Sequence, residues 1–229
     1  MLQVCVNGAR RPGEHPALPV TPEALAVAAG AAVEAGAEDV HLHPKDADGR
    51  DSLDPEHVDA AVAAVRAAVP GITVGVTTGA WVGERLEHIR MWTVLPDHAS
   101  VNWHEAGAED VAEALLARGI AVHAGIWSGT DAARTFLASR LRHKVQRVLA
   151  EVMHLEKTED LLKELAGVDN VLLHGEGEAT WPVLRLARAR GLDTRIGLED
   201  TLVLPDGSPA RDNADLVRAA IRALKDGVA

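Results

Sequence analysis

Residues 39–78 read DVHLHPKDADGRDSLDPEHVDAAVAAVRAAVPGITVGVTT, and this stretch decides the fold. DVHLHP is a compact apolar run that reads as a strand, DPEHVDAAVAAVRAAV has the spacing of a helix, and ITVGVTT is a second strand. A helix between successive strands implies a parallel pair joined by a right-handed crossover. Upstream, LQVCV is a short apolar run followed by the loop NGARRPGEHPALPVTP. Thr21 is a candidate N-cap with Pro22 at the first helical position, and the helix it opens, EALAVAAGAAVEAG, ends near Gly36.

Downstream the alternation recurs. WVGERLEHIRMW reads as a helix, ASVNW as a strand, AGAEDVAEALLARG as a helix and IAVHAGI as a strand. A helix from near Ser128 to Leu141, the strand QRVLAEVM, the helix KTEDLLKELAG and the strand NVLLHG follow. WPVLRLARARG, TRIGLE and RDNADLVRAAIRALKDG complete the series. Eight strand–helix units across 229 residues average about 29 residues each, enough for a short strand, a helix and two tight connections. The expected fold is therefore α/β: a compact (β/α)8 TIM barrel occupying residues 1–229 as a single domain. An open doubly wound sheet shares these local signals, but the regular count and the lack of a glycine-rich dinucleotide fingerprint after the first strand disfavour it.

Composition agrees with a globular chain: 47% of residues are hydrophobic and 25% charged. The net charge of −11 opposes nucleic-acid binding, although a local basic patch can still receive a phosphate. Cys5 is the sole cysteine, which excludes an internal disulfide and any multi-cysteine metal site. No basic leader precedes the first strand, and no run of eighteen apolar residues occurs, so the expectation is a cytoplasmic protein without membrane contact.

The most specific local signal is His41 and His43, two residues apart on a strand and so able to face one side. Two imidazoles and a carboxylate suit a divalent metal with an open coordination position; the alternative is a hydrogen-bonded pair at a strand end. Glu199-Asp200 follows the apolar TRIGL run, at the catalytic edge of a barrel, and Arg195 lies on the same strand face as Glu199. Arg195 either tunes a neighbouring carboxylate or forms a structural ion pair. Thr77-Thr78-Gly79, Asn7 and Asn102 place small polar groups at other strand ends, as a carboxylate cradle or as helix caps and turns.

His104, His123, His154 and His174 point to a histidine-rich mouth or to packed, hydrogen-bonded rings, and Glu151 to an inner polar network or an ordinary ion pair. HGEGEATWP lacks the phosphate-loop spacing, and Ser128 in WSGTD lies outside a nucleophile elbow. The basic run SRLRHKVQR, 139–147, reads as a solvated helix or a phosphate-receiving patch.

With HLHPKDADGR, the TTG strand end and RIGLED in place, the chain resembles the beta-keto acid cleavage enzymes, of the 3-keto-5-aminohexanoate cleavage type, from VCVNG through NADLV. The resemblance implies a (β/α) barrel that binds zinc or another divalent metal and converts a beta-keto acid and acetyl-CoA into acetoacetate and a new acyl-CoA. Carried over, it makes His41, His43 and Glu199 the metal ligands and Arg195 with Asp200 the proton-transfer pair. Thr77, Thr78 and Gly79 correspond to the carboxylate-recognition region, with Asn7 and Asn102 as further pocket residues. Lys45 stands where the family commonly has arginine, keeping the charge without a bidentate fork. The short loops place acetyl-CoA across strand ends or against a neighbouring subunit, so a homo-oligomer is the expected assembly. The competing readings are another metal-dependent lyase, aldolase or hydrolase on a barrel, and a barrel that binds metal or a small ligand without catalysis.

Overall fold

The computed structural model describes residues 1–225, so Asp226 and Gly227, the expected end of the last helix, lie outside the described residues. Among the described residues eight parallel strands are present: β1 Leu2–Cys5, β2 Asp39–Leu42, β3 Thr73–Thr77, β4 His98–Asn102, β5 Ala121–Trp127, β6 Arg147–Val152, β7 Val171–Gly175 and β8 Thr194–Ile196. Eight α-helices alternate with them: α1 Pro22–Glu34, α2 Pro55–Ala68, α3 Arg85–Met91, α4 Ala108–Ala117, α5 Ala132–Ala138, α6 Thr158–Glu164, α7 Thr180–Ala189 and α8 Asn213–Lys225. The strands run in sequence order, with β8 returning beside β1. The β7–β8 seam is closed by a parallel bridge between Leu172 and Asp193, by the Leu173 amide donating to Asp193 O at 2.9 Å, and by Thr194 Oγ1 donating to Leu173 O at 2.8 Å. The chain is a (β/α)8 TIM barrel.

Local chemistry accounts for the element ends. Thr21 caps α1, its hydroxyl accepting from the Ala24 amide at 3.2 Å, with Pro22 filling the first turn where no amide is needed. Three segments depart from expectation. The helix over 81–92 shrinks to Arg85–Met91: Gly83 falls in its expected first turn, and Glu84, just before the observed start, is left-handed with φ 54°. The basic run 139–147 is a chain of turns leading into β6, not a helix. β8 stops at Ile196, and Gly197–Asp200 form a turn in which the Asp200 and Thr201 amides donate to Gly197 O.

Side chains alternate across each strand. One set, including Val4, Val40, Val74, Val76, Val101, Val122, Val148 and Ile196, is fully or almost fully buried and joins the helices in one apolar core. The alternate set, Gln3, Cys5, Asp39, His41, Thr77, His98, His123, Glu151, His174 and Arg195, is also buried and largely polar. The hydrophobic layer therefore lies between strands and helices, while the barrel interior is filled mostly by hydrogen-bonding groups, together with Leu149 and Leu172.

Interior glycines make room for those groups. A Cβ on Gly75 would lie 1.8 Å from the His98 ring, and one on Gly197 would lie 1.9 Å from Cys5 O. In the second case the obstacle is backbone. Gly197→Ala is expected to lower stability by about 2–3 kcal/mol. Gly30→Ala, inside α1 with only Val69 Cγ2 at 3.8 Å, should be neutral or stabilising by up to about 1 kcal/mol. Urea denaturation of both variants checks this, and equal midpoints would contradict the close β8–β1 approach.

Candidate metal and proton-transfer site

The site is built at the carboxyl ends of β1, β2 and β8. His41 sits on β2, while His43 lies one residue past its end, in Leu42-His43-Pro44. Asn7 holds that extension: its Oδ1 accepts from the His43 amide at 2.9 Å and its Nδ2 donates to His43 O at 2.8 Å and Pro19 O at 3.1 Å. With both ends of its amide committed to backbone, Asn7 clamps a histidine and has no group left for a ligand. The turn after β8 brings Glu199 back over the strands, so that Oε2 lies 3.9 Å from His41 Nε2 and 3.8 Å from His43 Nε2.

One ligand atom from each of His41, His43 and Glu199 lies within 4.8 Å of the others. Ligands around one ion with tetrahedral bonds of about 2.1 Å are about 3.4 Å apart, close to the spacings seen. Glu199 Oε2 is buried without a hydrogen-bond partner, a cost that an ion would remove. Burial brings His41 down to about 3, keeping its ring neutral and able to donate a lone pair. Burial would raise Glu199, but Arg195 and the two histidines outweigh it and bring the carboxyl down to about 2. The donor set therefore fits a divalent metal.

Asp51, which sequence reasoning missed, orients this pair. Its Oδ2 accepts from His43 Nδ1 at 3.0 Å, leaving Nε2 as the free lone pair facing Glu199, and also from Trp81 Nε1 at 2.7 Å. The Trp81 indole stacks on the His43 ring, centroids 6.1 Å apart, and covers Gly79. Asp51 Oδ1 accepts from Lys45 Nζ at 2.5 Å, and the same ammonium donates to Gly8 O and Arg10 O. All three Lys45 donors are thus spent on tying two loops together. The only signal for Asp51 in sequence was its proximity to HLHPK, because the loop that folds it back has no periodicity.

Arg195 joins Glu199 to the neighbouring acid. Its Nη2 donates to Glu199 Oε1 at 2.9 Å and its Nε to Asp200 Oδ1 at 2.9 Å. The turn, and not the shared strand face expected from an extended TRIGLE, makes both contacts. Asp200 is fully buried, and its Oδ2 has no partner. Burial, against the pull of Arg195 and with the help of the Glu199 charge, pushes Asp200 up to about 7, the range of a general base.

The remaining candidates separate. Thr77 Oγ1 accepts from the Gly79 amide at 3.2 Å and keeps its own proton free, whereas Thr78 Oγ1 donates to Ser100 O at 2.6 Å. Neither caps α3, which starts at Arg85. Asn102 Nδ2 donates to Glu105 Oε1 at 2.9 Å at the end of β4. The histidines divide between the two ends of the barrel. His98 and His123 stack at the amino-terminal floor, centroids 3.9 Å apart, with His98 bound to Asp39 and His123 to Gln146. His104 packs on Trp127 beyond the strand ends, His154 is exposed, and His174 lies inside beside Glu151. The basic run precedes β6 and so lies at the floor, away from the site.

The sequence profile of the beta-keto acid cleavage enzymes matches residues 1–227. The chain belongs to that family. It is 23% identical to the 3-keto-5-aminohexanoate cleavage enzyme of Fusobacterium nucleatum, over 99% of this chain and 91% of that protein. With the 3-keto-5-aminohexanoate cleavage enzyme of Acetoanaerobium sticklandii it is 24% identical, over 99% and 92% of the two chains. Among solved structures, the binary complex of ObcA with oxaloacetate superposes with a TM-score of 0.73 at 18% identity, covering 92% of this chain. This chain spans 64% of the length of ObcA, and that likeness concerns the fold.

His41→Ala and Glu199→Ala are each expected to lower bound zinc or cobalt by elemental analysis, and full stoichiometry in both would sink the three-ligand site. A second expectation concerns pH. Glu151 ionises near 4.5 in the open chain but is pushed up to about 8 by burial, and Asp200 shifts the same way. Between those values the folded chain holds more protons than the unfolded one, so these groups make stability fall as pH rises. Burial lowers His41, His123 and His174, which oppose this trend below about pH 6.5, so the expectation is a difference: in the metal-free proteins, the thermal midpoint of Glu151→Gln relative to the parent should rise from about pH 5 to about pH 8. Parallel slopes would contradict proton uptake at Glu151.

Proposed function

We propose that this protein is a metal-dependent beta-keto acid cleavage enzyme that uses acetyl-CoA as cosubstrate. The observation that carries the reading is a buried arginine holding, on one guanidinium, a metal-ligand carboxylate and a second carboxylate with a free oxygen. His41, His43 and Glu199 would hold the ion, zinc by donor type. When bound, a divalent ion supplies Lewis acidity to a keto oxygen.

The chain's own residues then account for proton transfer. Asp200 Oδ2 removes the proton between the carboxylate and keto groups of the substrate, while Arg195 keeps Oδ1 fixed and balances the charge. Thr77, with its free hydroxyl proton, and Gly79 line the place of the substrate carboxylate; Thr78 supports that turn through Ser100, and Asn7 and Asn102 shape it from either side. The carbanion adds to the acetyl thioester carbonyl and expels CoA thiolate, and the thiolate adds to the substrate keto carbon. Cleavage of the bond between that carbon and the former carbanion carbon releases the new acyl-CoA and the enolate of acetoacetate, to which Asp200 returns its proton. A homo-oligomer, in which a neighbour contributes to CoA binding, belongs to the same proposal.

A second reading, a metal-dependent lyase or aldolase acting without CoA, is favoured by one feature. Three cations at the mouth are committed: Lys45 as described, Arg10 to Leu198 O, Glu199 O and Glu14, and Arg85 to Thr78 O, Glu105 and Ala106 O. These three are not idle to meet the phosphates of a coenzyme, and the cations that, among the described residues, are free of side-chain partners on loops at this end, Arg11 and Lys157, are exposed.

Zinc-loaded protein incubated with a panel of beta-keto acids, with and without acetyl-CoA, separates the two. Acyl-CoA and acetoacetate formed only when both substrates are present support the first reading, and cleavage without acetyl-CoA supports the second. Asp200→Asn is expected to retain metal while turnover falls about 100-fold or more. Normal turnover would remove Asp200 as the base.

A further inference from the structure

Deep in the barrel, β6 and β7 place Glu151 directly beside His174 in the strand register. The His174 ring is 1% exposed, and neither ring nitrogen has a hydrogen-bond partner. A buried ring with two idle nitrogens is costly unless small movements satisfy it. Its neighbours show which movements: Nε2 lies 3.5 Å from Glu151 Oε2, and Nδ1 lies 3.7 Å from Asp200 Oδ1. An imidazole thus stands between two carboxyl groups, one of which also accepts from Arg195.

We propose that His174 is a positioning residue that holds Asp200 by donating from Nδ1 to Oδ1, with Glu151 donating to Nε2 and thereby selecting the Nδ1–H tautomer. The proposal rests on the reading of Asp200 as the base. With Arg195 Nε and His174 Nδ1 both directed to Oδ1, Oδ2 is the oxygen left for the substrate proton. The protonation states agree with this geometry. Burial holds His174 well below its ordinary value, so the ring is neutral and carries one proton, and the raised Glu151 carboxyl keeps its proton at neutral pH. The tautomer of a neutral imidazole is set by what its other nitrogen meets.

Two variants discriminate the role. An Asn amide nitrogen occupies about the place of Nδ1 and a Gln amide nitrogen that of Nε2. His174→Asn therefore keeps the donor to Asp200, and His174→Gln does not. With the zinc-loaded enzyme, His174→Gln is expected to lower kcat about 10-fold to 100-fold, at little change in KM and unchanged metal content, while His174→Asn stays within about 3-fold of the parent. Equal kcat in both folded variants, high or low, overturns the proposal. Should both fail to fold, the tautomer in the parent protein decides. Long-range 1H–15N correlation spectra of the zinc-loaded and metal-free protein should show Nδ1–H at His174, and Nε2–H would overturn it. That spectrum needs no turnover, so an inactive parent enzyme would count against the proposed reaction and leave the His174 arrangement to be judged on its own.

Discussion

A single buried cation organises the interior of this barrel. Arg195 rises from β8 with its guanidinium removed from water, a placement that is costly unless every charge is paired. It is paired twice, with Glu199 and with Asp200, and each partner has a further duty. Glu199 turns its other oxygen toward two histidines, and Asp200 keeps its other oxygen free. Removing the guanidinium would leave two carboxylates buried side by side, a destabilising arrangement in any low-dielectric setting.

That constraint explains an inversion of the usual barrel. The apolar residues that commonly fill such an interior are here on the opposite face of the strands, packed against helices. Inside are an arginine, the four carboxyl groups of Asp39, Glu151, Glu199 and Asp200, and several histidines, with glycines where a side chain would collide. Burial acts on each group differently. Glu199 is kept ionised by its cationic neighbours, whereas Glu151, farther along the interior, is pushed toward its protonated form. The carboxyl groups separate accordingly: Glu199 lies beside Arg195 and two histidines and is ionised, Asp200 shares the same guanidinium but is desolvated and sits near neutrality, and Glu151 is protonated.

Much of this was legible in the chain. The alternation of apolar runs and helical periods gives the barrel, since a strand pattern and a helix pattern differ at every residue. HLH and RIGLED mark the cluster of His41, His43 and Glu199 and the neighbouring Asp200, because strand-end residues of a barrel converge whatever their separation in sequence. The roles of Asn7 and Lys45 were not legible. A pocket-facing amide and a backbone clamp look identical until the partner carbonyl is located, and a lysine's three protons are spent or idle only according to how its loop folds. Asp51 was missed for the same reason, and His174 was one of four histidines with indistinguishable local surroundings.

The sequence by itself determined the eightfold repeat, the strand ends at which polar residues gather, and the ligand types suited to a divalent metal. These depend on periodicity and side-chain chemistry, which are local. Only the tertiary structure decided that β8 ends early, so that a turn and not an extended strand brings Glu199 and Asp200 onto one guanidinium. It also decided that the basic run faces the floor and that His174 lies between two acids. Those outcomes depend on distances between segments far apart in the chain, and closure of the β7–β8 seam fixes them.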